Sequence, residues 1–375
     1  MRYTVPFNDL GAVYRRLRPV IDEALGRVAA SGWYVGGPEV DAFEKAFAAY
    51  AGVGHAIGVG NGTDAIALAL RAVGVKRGDQ VVVPALSAYP TAVGVLQAEA
   101  TPSFVDVDAS GLIDVAAVEQ ALTPSVKAVV CVHLYGNCAN AGALAALCAS
   151  RNLPLVEDCA QAHGCARDGR RAGTFGRAAA WSFYPTKNLG ALGDAGAVTC
   201  DDDATASTLR RLRNYGQRDR YEHVERGFNS RLDPLQAAVL AAKLPNLESD
   251  NARRRAIGER YDRAFSGLDQ VRPVPVPAGV VPNRHLYAVL LPDTDARTKF
   301  SAFLAERGVE TLIHYPIPMP DQAASESAWA AGRALPMARA LCAKVVSLPL
   351  YPDLADEQVD RVIEAVRAFA TQGRK

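Results

Sequence analysis

Lys187 and Asp158 are the two side chains of this sequence best placed to do chemistry. Lys187 lies in the stretch Ala180-Trp-Ser-Phe-Tyr-Pro-Thr-Lys-Asn-Leu-Gly-Ala-Leu-Gly-Asp-Ala-Gly196. Pro185 and the glycines at 190, 193 and 196 break helical propagation, so this lysine sits in a loop between two apolar runs that read as strands. Held there and partly desolvated, its amine has a lowered pKa and can attack a carbonyl, which is Schiff-base chemistry. Taken alone, a loop lysine is a solvated charge.

A second stretch changes that reading. Leu153-Pro-Leu-Val-Glu-Asp-Cys-Ala-Gln-Ala-His-Gly164 begins as an apolar run and ends in two acids. This is the pattern of a buried parallel strand that delivers a carboxylate at its C-terminal edge, where open α/β sheets bind ligands. Pyridoxal 5′-phosphate needs a lysine to hold its aldehyde and a carboxylate to keep its ring nitrogen protonated. Lys187 and Asp158 supply both. Ala160 is small enough to lie flat against a ring face, and Gln161 is placed to hydrogen-bond a ring hydroxyl.

The elements that must position these groups follow from periodicity. Apolar residues at helical spacing predict helices over Val13 to Ala29 and Glu39 to Tyr50. A short strand over His55 to Val59 then runs into Gly60-Asn-Gly-Thr-Asp-Ala65 and a helix over Ile66 to Val73. A glycine-rich turn opening a helix offers unpaired amides and the positive end of the helix dipole to an anion such as a phosphate. A plain N-cap at Asn61 or Thr63 is the alternative. Further strands are expected at Gln80 to Pro84, Ser103 to Val107, Lys127 to Val132, Leu153 to Glu157, Ala179 to Phe183 and Ala197 to Cys200, seven in all. Helical stretches such as Ala139 to Arg151 lie between several of them, which predicts an α/β fold with a mostly parallel sheet covered on both faces. No Gly-x-Gly-x-x-Gly follows the first strand, which weakens a dinucleotide-binding reading.

Beyond the sheet, helices are expected at Thr205 to Gly216, Leu232 to Leu247 and Asn251 to Phe265. The run Arg272-Pro-Val-Pro-Val-Pro277 reads as an extended connector. Strands at His285 to Leu291 and Val309 to Ile313, with helices at 296–307, 333–344 and 355–370, predict a smaller α+β unit. The expected division is a large domain over 1–250 and a small C-terminal domain over 251–375.

Composition agrees with an ordinary globular chain: 375 residues, 49% hydrophobic, with 41 basic against 40 acidic side chains. That balance argues against nucleic acid and an anionic membrane surface as partners. The seven cysteines show no Cys-x-x-Cys pair and fall mostly in apolar runs, which predicts free buried thiols, no metal framework and a cytoplasmic location. No stretch has the length of a membrane span or a secretory core.

The blocks Glu157 to Gly164, Ser182-Phe-Tyr-Pro-Thr-Lys-Asn-Leu-Gly-Ala-Leu-Gly-Asp194 and Asn229-Ser-Arg-Leu-Asp233 resemble the signatures of the DegT-like nucleotide-sugar aminotransferases. These are fold type I enzymes dependent on pyridoxal phosphate. The resemblance runs from Asn8-Asp-Leu to His314-Tyr-Pro-Ile-Pro318, and the run around Lys187 is similar to members that aminate C-3 of a keto sugar. It implies a seven-stranded sheet with one antiparallel strand near 197–200. It further implies that Gly62, Thr63 and Ser182 hold the cofactor phosphate, joined by Asn229 from a second subunit, and hence a homodimer with shared sites.

The implied reaction moves an amino group from L-glutamate to a nucleotide-linked keto sugar, a dTDP-linked 3-keto-6-deoxyhexose. Substrate contacts are expected from Tyr184, Arg220, His314 and Tyr315. In two places the chain departs from its relatives. Ala88 stands where many have an aromatic stacked on the cofactor ring, leaving Tyr89 either to stack from the next position or to face the core. Met319-Pro-Asp-Gln322 lacks the histidine that relatives carry after the His-Tyr motif. The competing readings are a UDP-linked or C-4 keto-sugar aminotransferase and a catalytically silent binding or regulatory protein. A sugar dehydratase is disfavoured because those relatives replace the lysine by histidine.

Overall fold

The computed structural model describes residues 3–330 and 333–372. Two helices open the chain. α1 (Leu10–Ser31) is capped by the Asp9 carboxylate, which accepts the Ala12 amide, and it stops at Gly32 in the left-handed region. α2 (Pro38–Ala51) starts on its proline and buries Val40, Phe43 and Phe47.

The strands β1 (His55–Val59), β2 (Gln80–Pro84), β3 (Thr101–Val105), β4 (Val126–Val132), β5 (Leu155–Asp158), β6 (Ala178–Ser182) and β7 (Gly196–Cys200) form one sheet. Their spatial order is β1-β7-β6-β5-β4-β2-β3. β7 runs antiparallel to both its neighbours, and every other pairing is parallel. These strands are almost wholly buried, which is why they read as continuous Val and Ala runs. The α/β class, the seven strands and the single reversed strand agree with expectation.

Between the strands lie α3 (Gly62–Ala72), α4 (Pro90–Gln97), α5 (Val115–Ala121) and α6 (Ala141–Ser150). Periodicity does not predict α4 and α5. Pro90 marks a helix start, and Asp114 accepts the Ala116 amide as an N-cap, but each helix is too short for a clear 3.6-residue period. After β7 come α7 (Asp203–Leu212), α8 (Pro234–Lys243) and α9 (Leu247–Phe265).

A second core collects Ile257, Tyr261 and Phe265 of α9 with Tyr287, Phe300, Leu304, Val346, Val359 and Val366. It is framed by the antiparallel strands β8 (Arg272–Pro273), β9 (Tyr287–Leu290) and β10 (Val345–Leu348) and by α10 (Thr294–Glu306) and α12 (Asp356–Gln372). α11 (Pro336–Lys344) instead buries Ala338, Leu341 and Cys342 in the main core. α9 runs unbroken across position 250, and Val5 of the N-terminal arm belongs to the second core.

Two local expectations fail. Residues 309–313 make only isolated bridges, Val5 to Val309 and Leu312 to Ser347, because the third strand of the small sheet is Val345–Leu348. The Pro-rich connector also enters that sheet, pairing Arg272 and Pro273 with Leu290 and Val289. An edge position tolerates proline there.

Candidate active site

β5 ends at Asp158, whose carboxylate is buried at the C-terminal edge of the sheet. Its Oδ1 accepts the Ala160 amide at 3.1 Å, and its Oδ2 accepts the Thr91 hydroxyl at 2.9 Å. Ser87 Oγ lies 2.9 Å behind Thr91. Burial raises the Asp158 pKa, opposed by the Ala160 amide, the Thr91 hydroxyl and the charge of Lys187. Both oxygens therefore have a donor, and lone pairs remain for a further N–H.

Lys187 is carried on a tightly folded loop. Its amide donates to the Tyr184 carbonyl at 2.8 Å, and Phe183 donates to Ala195 while accepting the Ala191 amide. A Cβ on Gly190 would lie 2.4 Å from the Pro185 carbonyl oxygen, so only glycine closes this loop. The half-buried Lys187 is pushed down to about 8 by burial, with Asp158 opposing. An amine with that pKa is a nucleophile near neutral pH. Lys187 also borders a cavity of about 260 Å³ shared with Leu10 and Val13 of α1 and Arg254 of α9. Asp158, Gln161 and Ser182 are not among its walls, so this cavity lies behind the loop and away from the strand edge.

The turn before α3 forms a close-fitting cradle. Asn61 caps the helix by accepting the Asp64 amide at 2.8 Å, which leaves the amides of Gly62 and Thr63 in the first turn, where a helix has no acceptor of its own. A Cβ on Gly62 would lie 2.6 Å from Ser182 Cβ. The end of β6 thus presses the Ser182 hydroxyl against the open end of α3. The Asn61 cap therefore leaves this turn's first amides open to an anion.

Gln161 is buried, accepting the Tyr135 amide at 2.6 Å and donating to the Tyr315 hydroxyl at 3.1 Å. Tyr135 in turn donates its hydroxyl to the His314 carbonyl. His314 Nδ1 lies 3.0 Å from Ser347 Oγ on β10. Burial, followed by the charge of Lys187, lowers His314 to about 4, so its ring is neutral at neutral pH. Burial pushes Tyr315 up to about 12. The chain thus brings Asp158, Ala160, Gln161, Lys187, Ser182, Gly62, Thr63, His314 and Tyr315 into one connected region.

Tyr89 packs half-buried against the main core, and its hydroxyl lies 3.2 Å from Ser325 Oγ. Three expected residues are exposed in the single chain. Tyr184 is 52% exposed. Arg220 lies on the surface hairpin of Gln217–Asp219 and Glu222–His223, its guanidinium over the Tyr221 ring at 5.2 Å. Asn229 is exposed and makes a backbone bridge to Asn214.

Other contributors have no clear signal in the sequence. Thr91 and Ser87 stand four residues apart across a helix start, a spacing visible in the sequence but silent about Asp158. Asn188 lies within the block around Lys187 with no role of its own legible there, and Asn283 and His285 carry no motif at all. His133, Glu157 and Cys159 bring their donor atoms within 4.8 Å of one another, as metal ligands do. Their bonding is already used: Glu157 accepts hydrogen bonds from the amides of Gly173, Phe175 and Gly176 and from the Nε2–H of His133, while His133 Nδ1 accepts the Ala139 amide. The cluster ties strand ends together.

The sequence model of the DegT/DnrJ/EryC1/StrS aminotransferase family matches residues 16–367. The chain belongs to this family. Among its relatives, a dTDP-3-amino-3,4,6-trideoxy-alpha-D-glucose transaminase of Streptomyces venezuelae is 44% identical over 98% of this chain and 96% of the relative. The erythromycin biosynthesis sensory transduction protein EryC1 of Saccharopolyspora erythraea is 44% identical over 98% and 100%. The crystal structure of S. venezuelae DesV superimposes with a TM-score of 0.94 at 42% identity, covering 98% of both chains. NtdA of Bacillus subtilis, solved with its cofactor PMP, gives 0.92 at 28% identity over 99% of this chain and 86% of that one. As a DegT/DnrJ/EryC1/StrS aminotransferase, the chain has the fold type I architecture and depends on pyridoxal phosphate. The first-turn amides of α3 and the Lys187 amine facing the Asp158 carboxylate fit that group.

Proposed function

We propose that the chain transfers an amino group from L-glutamate to a nucleotide-linked keto sugar, at C-3 of a dTDP-linked 3-keto-6-deoxyhexose. The observation that carries this reading is a Lys187 amine with its pKa lowered by burial and facing the buried Asp158 carboxylate, beside a cradle at the start of α3. Relatives at 44% identity that bear dTDP-3-amino sugar transaminase names support the substrate class.

Pyridoxal phosphate, when bound, supplies an electron sink for the carbon that loses a proton. Lys187 would hold the cofactor, and its amine, with a pKa of about 8, would serve as the general base and acid for that proton. Asp158 would keep the ring nitrogen protonated, with Thr91 and the Ala160 amide holding the carboxylate in place. Gly62, Thr63 and Ser182 would hold the phosphate, and Ala160 and Tyr89 would lie beside the ring. Gln161 positions Tyr315 and would hold the ring hydroxyl. His314 and Tyr315 orient the sugar as neutral hydrogen-bonding groups, together with Tyr184.

Arg220 and Asn229 are exposed in a single chain, which supports a homodimer in which each copy serves the other's site. Seven buried free thiols support a cytoplasmic location, and no helix among the described residues is long and apolar enough to cross a membrane. Two relatives bear sensory or regulatory names. Intact Lys187, Asp158 and Gln161 favour catalysis over that role.

The test is the visible spectrum of the protein with pyridoxal phosphate before and after L-glutamate, with Lys187→Ala in parallel. A yellow band bleached by glutamate only when Lys187 is present supports the reading, and a dTDP-linked 3-keto sugar should then restore the band. A band that no amino donor alters would sink it.

A further inference from the structure

Asn188 follows Lys187 directly, and its side chain is fully committed. One amide hydrogen goes to Asn251 Oδ1 on α9 at 2.8 Å and the other to the Asn283 carbonyl at 3.1 Å. Its Oδ1 must then be an acceptor, and the group 3.0 Å away is His285 Nδ1. This fixes the tautomer: Nδ1 of His285 carries the hydrogen and Nε2 carries the lone pair.

The partners of Asn188 are themselves pinned. Asn251 donates to the His163 carbonyl at 2.8 Å, and Asn283 donates to the carbonyls of Gln161 and His163 at 2.9 and 3.1 Å. Asn283 Oδ1 accepts the His285 amide at 2.9 Å, and its own amide donates to the Gly136 carbonyl at 3.1 Å. A Cβ on Gly136 would lie 2.0 Å from Asn283 Oδ1, so the approach requires glycine, here at φ +90°. The turn that follows Asp158 and the loop that carries Lys187 are thus joined through one set of amide groups.

We propose that His285 is a positioning residue: by donating from Nδ1 to Asn188 it holds the lysine loop against the Asp158 turn and sets the desolvation of the Lys187 amine. This rests on the reading of Lys187 as the cofactor lysine. Replacing a hydrogen-bonded donor in such a network leaves Asn188 Oδ1 unpaired and frees the loop to admit water. Water around the amine then reverses the effect of burial on Lys187.

The charge environment agrees with the assigned tautomer. Burial holds His285 well below the ordinary imidazole value, reinforced by the groups facing it, Lys187, Arg254, His314 and His163. Lys187 itself faces Asp158 as its charged partner.

The test compares His285→Asn with His285→Gln. The asparagine amide nitrogen reaches the place of imidazole Nδ1, whereas the glutamine amide reaches that of Nε2. The first readout is competitive acetylation of Lys187 in the cofactor-free full chain across pH, read by mass spectrometry. The second is the pH midpoint of the visible band in the holoenzyme. His285→Asn should keep the wild-type labelling midpoint, and His285→Gln should raise it by about one pH unit, with the same order in the band midpoint. Identical midpoints in both variants and wild type would overturn the proposal, leaving His285 a packing residue. The labelling readout needs no bound cofactor, so failure of the wild type to form a band counts against the function above and leaves this comparison readable. Should glutamine prevent folding while asparagine folds with a shifted midpoint, the proposal is likewise overturned.

Discussion

The Thr91 hydroxyl donates to Asp158 Oδ2 at 2.9 Å, so a residue in the first turn of α4 fixes the carboxylate that ends β5. Thr91→Val keeps the shape and removes the donor. A hydrogen bond to a charged group contributes about 1.5–3 kcal/mol, so pyridoxal phosphate should bind about tenfold more weakly or worse. Asp158, already raised by burial, should rise further. Cofactor titration by absorbance, with far-UV circular dichroism as the folding control, measures this; unchanged affinity would remove Thr91 from the site.

Gly62 and Ser182 meet where α3 and β6 converge, and a methyl group added at Gly62 would lie 2.6 Å from Ser182 Cβ. Gly62→Ala must push the two elements apart, at about 1–3 kcal/mol. Because the displaced atoms are the proposed phosphate donors, the loss should show mainly in affinity for pyridoxal phosphate. Pyridoxal, which lacks the phosphate, should bind wild type and variant alike. Equal losses for both ligands would point to general damage.

The lowered pKa of Lys187 makes stability depend on pH with a definite sign. Between about 8 in the folded chain and 10.5 unfolded, the unfolded state binds more protons, so the penalty for burying the charge is relieved and stability rises with pH. Below about 8 both states are protonated and the slope from this group vanishes. Lys243, also pushed down to about 8 by burial, acts in the same window. The difference between wild type and Lys187→Met therefore isolates Lys187. Urea midpoints of the cofactor-free protein, followed from about pH 7 to beyond the unfolded lysine value, should show a shallower rise in the variant, and parallel curves would refute the assignment.

Asn229 predicts shared sites. When Lys187→Ala and Asn229→Ala chains are co-expressed, random pairing gives about half mixed dimers, each with one intact site, so about a quarter of wild-type activity should return. Recovery no greater than the sum of the separate variants would place Asn229 outside the partner's site.

Much of this was written in local sequence. Lys187 declares itself because Pro185 and three glycines force a loop, and Asp158 because it ends an apolar run that only a buried strand accommodates. Gly62 was legible as a turn glycine, but its need for Ser182 was not, since the two lie far apart in the chain and meet only when β6 is laid beside the start of α3. Helices α4 and α5 escaped because seven or eight residues complete too few turns to show a period. The strand Val345–Leu348 escaped because a four-residue apolar run directly after a helix carries no signal of its own.

What the sequence determined by itself, then, is a strand-end carboxylate at residue 158, a loop lysine at residue 187 and the sheet that carries them, because all three depend on neighbours in the chain. The tertiary structure decided how those groups are aimed. Thr91 against Asp158, Asn188 against His285 and Gln161 against Tyr315 are contacts between distant segments, and their hydrogen-bond geometry exists only after the two cores have closed. Short polar side chains such as Thr and Asn fit turns, caps and surfaces equally well, so nothing local distinguishes those that hold an active site in place.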